Sequence, residues 1–326
     1  MHSTRREFIA TAGAATLLAA SPRAAMAQAK LDTVKIFVGF TPGTTPDVLA
    51  RKVADKLTRS YAHSALVENR LGAGGQLAVT ATKAAPGDGS GVLLTAMSIL
   101  GVYPYTYKKL PYDAVTDLAP VSMGATFDYG IGVGPAVPES VKDVRDLMAW
   151  YRANPGNMSI GSPATGSTLH FTGVMLGKAA GLNLTHVGYK GSGPAIQDML
   201  GGTLPALCTP LGTLLNQPKL RVLGTSGARR SPFTPQAPTL VEQGFKDMVF
   251  SEWYGFYLPA NASAATVARL NAALREALAA QDVIETLTTF GMEAAPSSPE
   301  QLKTALREAQ ALWAPIVKET GFTADS

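Results

Sequence analysis

Cysteine is almost absent: Cys208 is the only one in 326 residues, and the histidines are just His2, His63, His170 and His186. A lone cysteine excludes a disulfide framework and any zinc site built from paired cysteines. No His-Glu-x-x-His spacing, Gly-x-Ser-x-Gly elbow or Walker A loop occurs, so no metal, cofactor or catalytic residue is expected, and the chain does not read as an enzyme. Charge is sparse at 16% and aromatics make up 7%, with no basic cluster interleaved by stacking rings. That pattern excludes nucleic acid as a partner. Long apolar runs are missing too. The one candidate, Phe8 to Ala20, is too short and too rich in Ala, Gly and Thr to span a bilayer.

What is present begins with an address. Thr4-Arg5-Arg6-Glu7-Phe8-Ile9, the apolar stretch and Ala25-Met26-Ala27 make residues 1–27 a cleavable export signal of twin-arginine type. Arg23 before the cleavage region fits that route, and cleavage is expected after Ala27 or Ala29. An ordinary secretory signal with an incidental arginine pair is the alternative. Both readings send the mature chain to the periplasm. Without Arg5, Arg6, Arg23 and Glu7 the remainder carries 25 basic and 23 acidic side chains, a net charge of only +2.

The remainder is long enough for two cores at roughly 150 residues per domain. Its 46% hydrophobic content rules out disorder. Short apolar runs alternate with helical patterns, the mark of an α/β fold. Strands are predicted at 34–38, 65–68, 92–95, 158–162, 184–187, 220–223 and 253–258. Helices are expected after Thr45-Pro46-Asp47, near Gly75, after the box Ser140-Val141-Lys142-Asp143, after Ser167, and after Ser192-Gly193-Pro194. The tail is helical, with Ser298-Pro299-Glu300-Gln301 starting the last helix.

Three loops rich in glycine and hydroxyls each lead from a strand into a helix. They are Thr41-Pro42-Gly43-Thr44-Thr45-Pro46-Asp47, Gly72-Ala73-Gly74-Gly75 and Ser162-Pro163-Ala164-Thr165-Gly166-Ser167-Thr168. A helix N-terminus presents free N–H groups and the positive end of its dipole, so it attracts a carboxylate or phosphate. Glycine lets a ligand approach the backbone, and Ser and Thr add donors. A single such loop often serves turn geometry alone. Three of them, spread over two prospective domains, point to an anion held in a cleft.

These loops, with further landmarks in order, resemble the periplasmic solute-binding receptors of tripartite tricarboxylate transporters, the Bug family. The landmarks are Glu68-Asn69-Arg70, Tyr107-Lys108-Lys109-Leu110-Pro111-Tyr112-Asp113, Asp117-Leu118-Ala119-Pro120-Val121, Tyr189-Lys190-Gly191-Ser192 with Pro194-Ala195, and Arg230-Ser231-Pro232 with Pro238-Thr239. The resemblance runs from about Val34 to Phe322. It implies a two-domain periplasmic-binding-protein fold of the Venus-flytrap, type II class, each domain a mainly parallel sheet flanked by helices, with two crossing strands as hinge. Domain 1 would be 31–127 plus 253–326 and domain 2 would be 128–252, with crossings near Ala125–Gly132 and Glu252–Tyr257.

The family implied binds small carboxylates and grips one carboxyl group between opposing loops and bridging waters. By position, the first-domain contacts would be Phe40, Pro42, Gly43, Thr44, Asp47, Ala73 and Gly74. The second-domain contacts would be Ser162, Thr165, Ser167, Thr168, His170 and Tyr189. The implied partners are a small carboxylate and the membrane components of such a transporter, with the receptor a monomer. Two departures bear on the ligand: Thr44-Thr45-Pro46 replaces the family's further glycines, and the stretch 201–210 carries no acid. Without that acid a distal amine lacks a counter-charge, which favours a dicarboxylate or an aromatic acid. A secreted serine-type hydrolase and a ligand sensor for a signalling protein remain the alternatives. Some of these residues also have plainer readings: His170 and His186 as packed side chains, Cys208 as a small buried apolar group, Trp253 and Tyr254 as packing of the hinge strand, and Asp47 as a first-turn helix charge.

Overall fold

The computed structural model describes residues 29–324, and the export-signal reading of residues 1–27 lies outside them. Val34, Ile36 and Val38 alternate into the core from β1 (Leu31–Val38). Helix α1 (Thr45–Ser60) carries the chain to β2 (Ala62–Asn69), and α2 (Gln76–Lys83) carries it on to β3 (Gly91–Ala96). All three strands are parallel in the order β2-β1-β3. Two short helices follow, α3 (Met97–Gly101) and α4 (Tyr103–Thr106).

Strand β4 (Leu118–Val133) is 16 residues long because it serves two sheets. After it come α5 (Val144–Ala153), β5 (Ser159–Ser162), α6 (Thr168–Ala179), β6 (Thr185–Gly188), α7 (Ser192–Leu200), β7 (Ala206–Pro210), α8 (Leu211–Leu215) and β8 (Arg221–Thr225). Strand β5 lies parallel between β6 and β7, so this half repeats the strand–helix plan of the first, with β5 in the place of β1. The chain then returns through β9 (Ser251–Pro259), α9 (Ala264–Leu278), α10 (Gln281–Thr289), the short β10 (Glu293–Ala294) and α11 (Pro299–Thr320).

Two strands join the lobes. β4 pairs with β9 from Leu118 to Asp128, then with β7 from Tyr129 to Val133. On the return, the Phe250 N–H donates to Ser226 O at 2.9 Å, and the next residue, Ser251, already pairs with Asp128 of the first sheet. Ser226 ties the two crossings together: its Oγ accepts from the Tyr129 N–H and donates to Phe250 O.

Three details differ from the sequence reading. Asp143, not Ser140, caps α5, accepting from the Asp146 N–H, because Pro138–Val141 forms a turn of its own. Thr44 rather than Thr45 is the cap residue of α1. Ala206–Pro210, flanked by prolines, is a strand, held between β4 and β5 with Cys208 fully buried.

Helix α6 is buried nearly all round, which requires cover on the side away from its sheet. Helix α11 supplies it. Trp313, 1% exposed, packs with ring centroids 4.9 Å from Phe250 and 6.4 Å from Phe171, while Phe322 sits on His170. The C-terminal helix of the first lobe thus leans on the second. Replacing Trp313 with Ala should lower stability in equilibrium urea unfolding by about 3–5 kcal/mol. A loss under about 1 kcal/mol would show that this contact is dispensable.

Candidate functional site

In each lobe the first strand lies between the strands that follow it. Right-handed crossovers to its two sides place successive helices on opposite faces and open a crevice at its C-terminal end. Beyond β1 that crevice holds Thr41–Thr44, and beyond β5 it holds Pro163–Ser167.

The two loops are built alike. Gly43 and Gly166 take the left-handed conformation, with φ of 80° and 78°. The N–H of each is captured by the side chain four residues on: Gly43 by Asp47 Oδ2 at 2.8 Å, Gly166 by His170 Nδ1 at 3.2 Å. The next residue, Thr44 or Ser167, is the helix cap, and its hydroxyl donates backward at 2.6 Å, to Thr41 O or Ala164 O. Neither caps its helix. By contrast, Asp143, Ser263 and Ser298, at the starts of α5, α9 and α11, all accept a first-turn N–H. A capping hydroxyl is worth about 1 kcal/mol. Helices α1 and α6 forgo it and leave first-turn N–H groups without a side-chain partner.

The following residues, Thr45 and Thr168, anchor both helices on one strand. Thr45 Oγ1 lies 2.7 Å from Tyr254 Oη, and Thr168 Oγ1 donates to Glu252 Oε2 at 2.6 Å. Glu252 and Tyr254 share a face of β9, about 6.8 Å apart along a strand. The two helix starts therefore converge. At the rim the first loop comes near the loop before α7, where a methyl added to Gly191 would lie 3.9 Å from Thr41 Oγ1, and the Gly191 N–H donates to Pro163 O of the second loop.

The remaining site residues of the sequence reading fall around this pair. Phe40 sets its ring edge-on to Tyr254 with centroids 6.4 Å apart, and its carbonyl accepts from Asn69. Pro42 is exposed on the first loop. Ala73 (φ 46°) is the one non-glycine residue at positive φ among the described residues, and Gly74 beside it accepts from Tyr103 Oη. Ser162 is buried, with Oγ 2.8 Å from His186 Nε2. Thr165 is exposed and lies over Gly188. Two side chains turn elsewhere. Tyr189 donates to Asp198 on α7. The Asp47 carboxylate takes Arg51 Nε and Nη2, Asn69 Nδ2 and the Gly43 N–H. Burial alone would raise the Asp47 pKa, but hydrogen bonds from Arg51, Gly43 and Asn69 outweigh it and hold the group below its usual range.

Several partners have no role in the sequence reading: Glu252 as an acceptor, with Ser98 and Tyr129 beside it; Tyr254, read there as hinge-strand packing, also meets Thr45. An acid opening the otherwise apolar run Glu252-Trp253-Tyr254-Gly255-Phe256-Tyr257-Leu258 is the one local signal. Two cavities, of about 510 and 470 Å³, lie apart from the twin loops, the first beside the end of α11 and the second behind the crossings. Among the described residues no group of three or more His, Cys, Asp or Glu could hold a metal.

Residues 49–322 match the model of the tripartite tricarboxylate transporter family receptor. The chain belongs to that family. The receptor is 31% identical over 318 residues to the protein BugT of Bordetella pertussis, covering 96% of this chain and 95% of BugT. Two solved structures share its fold. A protein from R. palustris solved with adipate is 28% identical, with a TM-score of 0.84 over 90% of this chain and 99% of its own. MatC from Rhodopseudomonas palustris, with bound malate, is 25% identical, with a TM-score of 0.79 over 88% of this chain and 99% of its own. The architecture is the two-domain periplasmic-binding-protein fold, hinged on two crossing strands. This is a receptor and not an enzyme.

The receptor's second loop rests on two neutral imidazoles. The His170 and His186 rings lie against each other, tilted by 35°, with centroids 3.8 Å apart. Burial, then the neighbouring His186, lowers the His170 pKa to about 3, and burial lowers that of His186 to about 4. The unfolded chain takes up these protons below about pH 6.5, while the folded receptor does not. Stability is therefore full above that pH and falls as the solution is acidified toward pH 4. Thermal unfolding of a His170→Gln variant should show a shallower loss between pH 6.5 and 5 than the wild type. Equal slopes would mean that His170 is not held neutral.

Proposed function

We propose that the protein captures a small organic carboxylate between the twin loops and delivers it to the membrane components of a tripartite tricarboxylate transporter. The observation that carries this reading is the pair of converging helices whose cap hydroxyls turn away from their own first-turn N–H groups. One carboxyl group fits between them, taking the Thr45 N–H on one side and those of Thr168–Leu169 on the other, through waters where the gap is wide. The Pro46 ring offers no donor, so the second lobe supplies the richer set.

The lobes are taken as 31–127 with 253–326, and 128–252. Phe40, Pro42, Gly43, Thr44, Ala73 and Gly74 line the first side of the cleft; Ser162, Thr165, Ser167 and Thr168 line the second, while the Tyr189 side chain is turned to Asp198. Asp47 and His170 act from behind, each holding its loop's glycine N–H. The adipate and malate carried by the two R. palustris proteins support a dicarboxylate. The acid-free stretch 201–210 supports a distal end without an amine. The receptor works as a monomer in the periplasm, and Arg5-Arg6 directs it there by the twin-arginine route. No lysine or arginine side chain is assigned to the carboxylate.

Two measurements test this. In calorimetry against malate, adipate and an aromatic acid, at least one should bind with an affinity that changes little with salt, because dipoles in a closed cleft are weakly screened. A ligand at 100 times its dissociation constant should add about 2.7 kcal/mol to stability. No binding by any of them, or a steep salt dependence, would count against a carboxylate held by helix ends. Separately, changing Arg5 and Arg6 to Lys should leave the precursor inside the cell. Normal periplasmic accumulation would assign the ordinary secretory route.

A further inference from the structure

Glu252 is a carboxylate, 2% exposed, and every group that meets it at hydrogen-bond distance is a neutral donor. The Ser98 N–H, at the start of α3, donates to Oε1 at 2.9 Å. The Tyr129 hydroxyl donates to Oε2 at 2.7 Å, and Thr168 Oγ1 donates to the same oxygen at 2.6 Å. These donors come from different moving parts. Ser98 belongs to the first lobe. Tyr129 is the first residue of β4 to pair in the second sheet, and Glu252 is the second residue of the returning strand. Thr168 is the first residue of α6, the helix that begins at the second loop.

The equivalent anchor of the first loop joins two hydroxyls. Thr45 meets the hydroxyl of Tyr254, a neutral pair within one lobe. Glu252 stands at the lobe boundary and pairs with Phe127 in the first sheet, so the Thr168–Glu252 bond ties the second lobe to the crossing strand. Thr168 also spends its hydroxyl on Glu252, so it can offer a ligand only its backbone.

We propose that the Thr168–Glu252 hydrogen bond is the latch of the closed receptor. Ser98 and Tyr129 hold the carboxylate at the hinge in every state, and rotation of the second lobe carries the Thr168 hydroxyl away from it. Glu252 is then a positioning residue. It fixes the donor-rich end of α6 opposite α1 and favours closure without touching the ligand. This rests on the cleft reading above for its functional meaning, but the latch itself can be read without any ligand.

The test places nitroxide labels on Leu77→Cys in the first lobe and Asn183→Cys in the second. Both sites are exposed, and Cys208 is fully buried and out of reach of the label. Distances between labels are measured by pulsed electron resonance without ligand and with malate or adipate, in wild type, Thr168→Val, Thr168→Ser and Glu252→Gln. The Val and Gln variants should lower the ratio of closed to open receptor by about tenfold, the scale of one lost hydrogen bond. They should weaken any measurable affinity by the same factor, and Ser should restore wild-type values. If the Val variant does not fold by circular dichroism, the Gln variant carries the test. Distance distributions and affinities that superimpose on wild type would overturn the latch. Failure of both probes to bind would count against the carboxylate reading, and the ligand-free distances would still decide the latch.

Discussion

Thr45 and Thr168 bury their hydroxyls two residues apart on one face of β9, and the geometry of the cleft follows from that. A strand fixes the spacing of its side chains far more tightly than a loop can. Anchoring one helix from each lobe on the same strand converts two remote chain segments into a pair of helix ends at a set separation. The repeated strand–helix plan of the lobes delivers each helix start to the correct end of its sheet. The shared strand brings them together.

The same arrangement explains how an anion can be held with little fixed charge. Asp47 is already matched by Arg51, and His170 and His186 are neutral, so the twin loops present no free cation of their own. In the proposed reading, what attracts a carboxylate is the set of N–H groups released when Thr44 and Ser167 turn to the carbonyls behind them. The two helices give up about 1 kcal/mol each of capping, which a carboxylate bound as proposed would restore. Stability yields at the functional loops while the other Ser and Asp caps stay intact.

Much of this was legible in the sequence. The run Val92–Thr95 is buried on both faces, as a central strand is, Val34–Val38 departs from that only at the exposed Lys35, and Ser298 with Gln301 forms the capping box its spacing announces. The glycine and hydroxyl loops stood out because each residue type there has one job. Ala206–Pro210 was missed because its prolines mimic a loop, and only burial between β4 and β5 makes it a strand. Asp143 was passed over for Ser140 because both are good caps three residues apart. The likeness of the two loops was harder to see, since Asp47 and His170 perform one task with different chemistry. Glu252 carried almost no local signal. Its partners at 98, 129 and 168 are neighbours only once the chain has crossed and returned.

A crystal structure of the receptor with the tightest-binding dicarboxylate tests the central claim most directly. The expected density places one carboxyl group between the first turns of α1 and α6, bonded to backbone N–H groups directly or through water, with no Lys or Arg side chain within reach. A carboxylate paired with a cationic side chain, or bound away from both loops, would contradict it.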